Sequence, residues 1–443
     1  MSQLQAERAF RVDAIIDAQP VCTLQIRVVA LCCLAAALNG FDGQIIGFLA
    51  PTIATDLKLD IRAFGLVFSA GFVGLMLGAM SLGSLGDRVG RKRALLSSML
   101  IFGVFAMLTG LARSFNGLVL LRFLTGVGLG GSLPNLAALA TEYVPDRLRR
   151  IPASLIGAAI PTGAMTAGII AAATLQYWGW RSMFYLGGLL PLVLAGVLYF
   201  ALPESVRYLT LNPSNRAKVH AIMARIWPEA ATFKARFTES PPNSVTEGSI
   251  IDLFRASRGT ITALLWIINI MSFMVLYFII SWMPALLEAV KLPARVGIMA
   301  ITTFSLGGIV GSIAEGPLMN RLSAELVLFV EYTLFAALIG VLAISPMYPS
   351  LIALLSFGLG LSLQAAQAGL IILAVTLYPI EIRSTGTGWS LAVGIIGSII
   401  GPLLGQWALS AGWSSQQIFA ASAYPALCAA GAVSVLIFRR RRI

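Results

Sequence analysis

Twelve apolar runs pace this sequence, at roughly 26–50, 64–84, 94–112, 115–140, 151–174, 182–202, 260–284, 296–318, 325–345, 349–376, 386–409 and 416–438. Each is about the length that crosses a bilayer as a helix. Lipid offers no water to unpaired backbone groups, so such runs must satisfy their own hydrogen bonds, which only helices do within one segment. Only 11% of the residues are charged and 58% are hydrophobic. A soluble domain carries about a quarter charged residues, so this chain lacks the surface to live in water. The reading is an all-α, multi-pass membrane protein of twelve transmembrane helices.

Charge placement orients the chain. With both termini cytoplasmic, 24 of the 31 Lys and Arg residues fall on the inner side and six on the outer side: Lys58, Arg62, Arg113, Arg181, Lys291 and Arg295. Arg122 lies inside a span. This bias follows the positive-inside rule, and the opposite orientation would invert it. The polar stretch 205–259, with Asn212-Pro213-Ser214-Asn215 and Pro241-Pro242-Asn243-Ser244, reads as a cytoplasmic linker. Residues 1–25 then form a cytoplasmic leader rather than a cleavable signal. Residues 26–204 form the first six-helix bundle, 260–438 the second, and 439–443 a basic tail.

The net charge of +12 raises nucleic acid as a partner. The basic residues lie between apolar runs, however, with no arginine-rich arm or zinc spacing, so no nucleic acid is expected. Cys22, Cys32, Cys33 and Cys428 lack CxxC spacing and read as packing residues. The single histidine, His220, falls in the linker. With no HExxH, GxSxG or Walker motif, nothing supports a metal site, an embedded enzyme or ATP drive.

The halves repeat. At an offset of 233, Pro51, Gly74, Gly78, Gly83, Leu85 and Arg88 match Pro284, Gly307, Gly311, Gly316, Leu318 and Arg321. At 234, Pro145 and Arg149 match Pro379 and Arg383. A constant register across several helices indicates duplication, and parallel repeats with a midplane site are a transporter architecture. A channel needs no such alternately gated halves.

Between spans 2 and 3 stands Gly83-Ser84-Leu85-Gly86-Asp87-Arg88-Val89-Gly90-Arg91-Lys92-Arg93, which resembles the cytoplasmic-loop signature of the major facilitator superfamily. A degenerate copy, Gly316-Pro317-Leu318-Met319-Asn320-Arg321, occupies the matching loop, with Asn320 in place of the acid. Arg122-Phe123-Leu124-Thr125-Gly126-Val127-Gly128 resembles the fourth-helix motif, Gly157–Gly163 the fifth-helix glycine–proline pattern, and Pro203-Glu204-Ser205 the segment after helix six. In the first helix, Asn39-Gly40-Phe41-Asp42 through Ala50-Pro51 resembles the aromatic acid:proton symporter branch, as does Tyr378–Arg383 with Gly386-Thr387-Gly388-Trp389. Two departures fall on charged positions of that branch: Asn39 replaces an aspartate, and Ile395 replaces an arginine. The resemblance implies two pseudo-symmetric six-helix bundles in a bacterial inner membrane. It also implies a loop network of Gly83, Asp87, Arg88, Gly90 and Arg91, with Glu142, Glu315, Arg321 and Arg383, that gates the cytoplasmic side.

The residues then divide into roles. An acid in a span is costly ionised and tolerated protonated, so Asp42, with Asn39 beside it, is the expected proton-coupling site. A guanidinium at a helix centre costs about 2.5–3.5 kcal/mol, so Arg122 needs a partner. The alternatives are a substrate carboxylate or Glu142. Asn135, Gln364 and Gln367 are candidate donors; Phe41, Tyr277, Trp282, Phe304 and Trp389 are candidate ring walls. Glu331 falls in a helix that lies at the periphery of this fold. The expected function is proton-driven symport of an aromatic carboxylate, with the proton gradient as sole energy source and no cofactor. The chain is expected to act as a monomer in lipid. A carrier of sugars, polyols or other acids, or a drug-efflux antiporter, is the rival.

Overall fold

The computed structural model describes residues 9–229, 236–238, 250–255, 258–345, 348–379 and 382–440. The first eight residues, Pro241–Ser244 and much of the linker, Ile380 and Glu381, and residues 441–443 lie outside these.

Span 1 is Thr23–Asp56. Span 2 begins as Phe64–Gly78 and continues through a π-helical turn, Ala79–Gly83, into Ser84–Val89. Spans 3 and 4 are Arg91–Thr109 and Phe115–Glu142. Arg150–Ala201 runs unbroken for 52 residues except at Gly179, whose φ of 68° and ψ of 173° are not helical. At about 1.5 Å per residue this stretch would far exceed a ~30 Å hydrocarbon core, so Gly179 divides spans 5 and 6. Spans 7 to 11 are Gly259–Ala289, Ala294–Arg321, Ala324–Ile344, Pro349–Leu377 and Arg383–Ser410. Span 12 joins Ser415–Ala421 to Ala423–Arg440. Spans 1 and 7 run past Pro51 and Pro284, beyond the apolar runs read from sequence. Helices in membranes tolerate proline because neighbours re-satisfy the freed backbone groups.

Glycines set how the spans pack, and they do so twice. A Cβ on Gly74 or Gly78 would strike the backbone carbonyls of Phe123 and Val127 in span 4. In the second half, Gly307 and Gly311 meet the carbonyls of Phe357 and Leu361 in span 10. Gly126 closes on Gly71, and its counterpart Gly360 closes on Phe304. Gly163 of span 5 abuts the Ala37 carbonyl of span 1, as Gly397 of span 11 abuts Ile270 of span 7. The offset of 233 to 234 read from the sequence therefore recurs as a contact pattern. Close backbone approach at small residues is how helices associate where no hydrophobic force separates helix from lipid.

The halves meet away from the end that carries leader and linker. Ser69 donates to the Ile399 carbonyl at 2.7 Å. Phe68 packs edge-on against Trp282, and Phe72 against Tyr277 with centroids 4.4 Å apart. Gly47 approaches Ile280, and Gly65 approaches Pro402 and Gln406. At the opposite end, strand Ala9–Arg11 pairs in parallel with Arg236–Thr238. Val12, Ile15 and Ile16 share an apolar cluster with Val219, Met223 and Ile226 of the linker helix Arg216–Ile226. The leader is thus folded onto the linker.

Gly163→Val tests the packing, with Gly157→Val as control, since nothing lies within 4 Å of a Cβ at Gly157. Overpacking costs about 1–3 kcal/mol, so the melting temperature in detergent should fall for Gly163→Val and hold for Gly157→Val.

Candidate functional site

Arg122 comes from the third turn of span 4 and Asp42 from the middle of span 1. Glycines 40 and 163 let spans 1 and 5 touch backbone to backbone, which closes the first bundle around this pair. Arg122 Nη2 donates to Asp42 Oδ2 at 3.0 Å and Nη1 to Oδ1 at 3.4 Å. Asp42 is fully buried and Arg122 is 4% exposed. The guanidinium also lies 5.8 Å from the Phe184 ring centroid. A two-point ion pair with a ring beneath it is the compensation that a buried guanidinium requires. Glu142, the sequence alternative, is excluded by length: it lies 20 residues along the same helix, about 30 Å away at 1.5 Å per residue.

Next to this pair lies a cavity of about 160 Å³ between the halves. Asn39, Gln44, Arg122, Tyr277, Ser281 and Gln364 supply its polar atoms. Phe68, Phe72 and Tyr277 supply rings. Arg122 therefore faces the cavity on one side and Asp42 on the other. Asn39, which stands where the branch has an acid, accepts from Ser132 at 3.0 Å and donates to the Ala35 carbonyl. Gln364 donates to the Phe304 carbonyl at 3.4 Å.

The structure brings Asn39, Arg122, Tyr277 and Gln364 to one cavity, but not the other candidates. Asn135 bonds the carbonyls of Leu82 and Gly131 and packs under Gly86, fixing span 4 to span 2. Trp282 donates to the Pro402 carbonyl at 2.9 Å and is fully buried. Phe304 is buried against Gly360. Phe41 is buried near Gly187. Gln367 donates to Ser272 at 2.9 Å, and Trp389 stacks on Trp266 and is 43% exposed. Helical phase decides these outcomes: none of these side chains is aimed into the cavity. The sequence reading missed Gln44, Phe68, Phe72 and Ser281. The spacing of Phe68, Gly71, Phe72 and Leu75 on one helical face is the signal that marks span 2 as cavity-lining.

In the gating set, Arg91 bridges Asp87 at 3.2 Å and Glu142 at 2.8 Å, tying the start of span 3 to the end of span 4. Gly90 has φ 106°, and a Cβ there would strike the Glu204 carboxylate. Glu204 accepts from the backbone of Lys92 and of Ser205, at 2.8 and 2.9 Å. The Pro-Glu-Ser segment thus caps the start of span 3, a role the sequence reading did not assign. Gly83 packs on Pro134. Arg88 and Arg321 are exposed, Arg383 donates to the Tyr378 carbonyl at 3.4 Å, and Glu315 is buried at a distance from this network.

The family model described as Major Facilitator Superfamily matches residues 32–293 and 265–442. The chain belongs to the Major Facilitator Superfamily. It is a multi-pass membrane transporter and not an enzyme. Among relatives of this superfamily protein, a 4-hydroxybenzoate transporter PcaK of Pseudomonas aeruginosa is 33% identical, covering 97% of this chain and 96% of that one. A gallate transporter of Pseudomonas putida is 34% identical, covering 94% and 93%. A 3-(3-hydroxy-phenyl)propionate transporter of Escherichia coli is 34% identical, covering 94% of each. A solved bacterial homologue of the human lysosomal transporter Spinster, inward-facing and unoccupied, shares the fold with a TM-score of 0.66 at 15% identity, covering 95% of this chain and 96% of that one.

Breaking the ion pair from one side tests its structural weight. Arg122→Ala strands a buried carboxylate and should cost about 3–5 kcal/mol. Asp42→Asn with Arg122→Ala should cost less than the two single changes together, as a thermal-unfolding double-mutant cycle reads.

Proposed function

We propose that this transporter carries an aromatic carboxylate of the benzoate or hydroxybenzoate type together with a proton, by alternating access, across a bacterial inner membrane. The observation that carries the reading is the Asp42–Arg122 pair at the wall of an aromatic-lined cavity. The names of the relatives support the substrate class.

The pair gives coupling a physical route. A carboxylate entering the cavity needs the guanidinium that Asp42 already holds. Protonation of Asp42 removes its charge and frees Arg122 for the incoming anion. Proton and anion thereby favour each other's binding, because both shift the same equilibrium. The rings of Phe68, Phe72 and Tyr277 offer flat apolar walls to the aromatic ring, while Asn39, Gln44, Ser281 and Gln364 offer hydrogen bonds to its substituents. With both termini cytoplasmic, the joined ends of the halves lie on the outer side. The cavity then faces inward, and the Asp87–Arg91–Glu142 cluster stays within the first half.

Asp42→Asn should abolish uphill 4-hydroxybenzoate uptake driven by a pH gradient in proteoliposomes while retaining exchange. Undiminished accumulation would falsify the assignment of Asp42 as proton carrier. For Arg122→Ala, tryptophan quenching should show 4-hydroxybenzoate affinity reduced by about two orders of magnitude, as expected when a charge-assisted pair is lost. Unchanged affinity removes Arg122 from the binding site.

A further inference from the structure

The mechanism above leaves two buried carboxyl groups of the second half unused. Glu315 of span 8 is 1% exposed and Glu331 of span 9 is 8% exposed. Glu315 Oε1 and the side chain of Leu328, which shares a face of span 9 with Glu331 three residues on, lie against the same point of span 10, Gly369, so the two acids are neighbours across spans 8 and 9. Neither forms an ion pair with a described residue. Glu315 Oε1 and Glu331 Oε2 are buried with no hydrogen-bond partner. An ionised carboxylate only accepts hydrogen bonds, so a bond between two carboxyls needs a proton on one of them.

The surroundings keep that proton in place. Span 10 closes on the pair at Gly369, where a Cβ would strike Glu315 Oε1 and the side chains of Met319 and Leu328. Met319 and Leu328 make that wall apolar, and no ion pair among the described residues reaches it. Tyr332, next along span 9, donates its hydroxyl to Ser272 of span 7 at 2.9 Å. Gln367 of span 10 donates to the same Ser272 oxygen at 2.9 Å. One turn away, Gln364 lines the central cavity. Tyr332, Ser272 and Gln367 thus tie spans 9, 7 and 10 together by hydrogen bonds between the acids and the cavity-lining stretch of span 10. At the repeat offset, Leu82 stands where Glu315 does and two serines, Ser97 and Ser98, where Glu331 does. The pair is therefore no relic of the duplication shared by both halves.

We infer that Glu315 and Glu331 form a second proton-binding site of this transporter, a carboxyl pair that holds one proton between spans 8 and 9. One proton from water forms one O–H bond on the pair and takes its charge from −2 to −1. Release leaves two like charges against an apolar wall. It therefore requires span 10 to part from Glu315 at Gly369 and admit water. The role of this site in transport rests on the proton-symport reading above.

Infrared difference spectra of the purified protein in lipid, between acid and alkaline buffer, test it. Wild type should show a protonated-carboxyl stretch that is lost in Glu331→Gln and in Glu315→Gln/Glu331→Gln but survives in Asp42→Asn. Gly369→Ala, which keeps both carboxyls and crowds one, should shift the band. In proteoliposomes, the pH midpoint of 4-hydroxybenzoate uptake should move by at least about one pH unit in Glu331→Gln. An unaltered band and an unaltered midpoint in variants that melt like wild type would overturn the inference. So would uptake that follows a Na⁺ gradient and loses that dependence in these variants. If no pH gradient drives uptake in wild type, symport fails while the band still reports the pair. If only Asp42→Asn changes coupling, the pair fails and symport stands.

Discussion

Backbone contact at glycine is the constraint on which the rest of this molecule depends. Spans 1 and 5, 2 and 4, 7 and 11, and 8 and 10 approach until a single Cβ would strike a carbonyl of the neighbour. Lipid tails are as apolar as leucine, so helices in a bilayer gain little by hiding apolar side chains from it. Tight van der Waals approach has to hold them together instead. The same closeness brings Asp42 within reach of Arg122, two residues 80 apart in the chain. It also brings Glu315 within reach of the smooth face of span 10 at Gly369.

The duplicated scaffold carries two different polar pairs. In the first half a carboxylate and a guanidinium neutralise each other; in the second, two acids lie buried on neighbouring spans. At the repeat offset, Val275 and Ser356 stand where Asp42 and Arg122 do, and Ser356 spends its hydroxyl on Met283. Glycine positions survive duplication because both bundles need the same backbone approach. Charged positions diverge because each buried charge needs only a local partner. Glu331, expected in a peripheral helix, is buried and lies beside span 8.

Much of the candidate site was legible in part. Asp42 and Arg122 stand out as charges within apolar runs, where any ionisable residue demands an explanation. That they answer each other was not legible, because no local spacing links spans 1 and 4. The aromatic candidates fared unevenly. Tyr277 reaches the cavity, while Trp282, about one and a half turns on, bonds the Pro402 carbonyl and packs edge-on against Phe68 where the halves meet. Composition names an aromatic residue, but only helical phase and bundle orientation say which way it faces.

By itself the sequence determined twelve membrane helices in two repeated halves, since backbone groups in lipid must pair within a helix and the glycine register repeats at a fixed offset. It also determined which few side chains would be charged inside the membrane. The tertiary structure alone decided which of those charges meet, which rings share a cavity, and that the Pro-Glu-Ser segment caps the start of span 3. Those outcomes depend on contacts between segments tens to hundreds of residues apart, set by the crossing of whole helices. No local pattern along the chain encodes them.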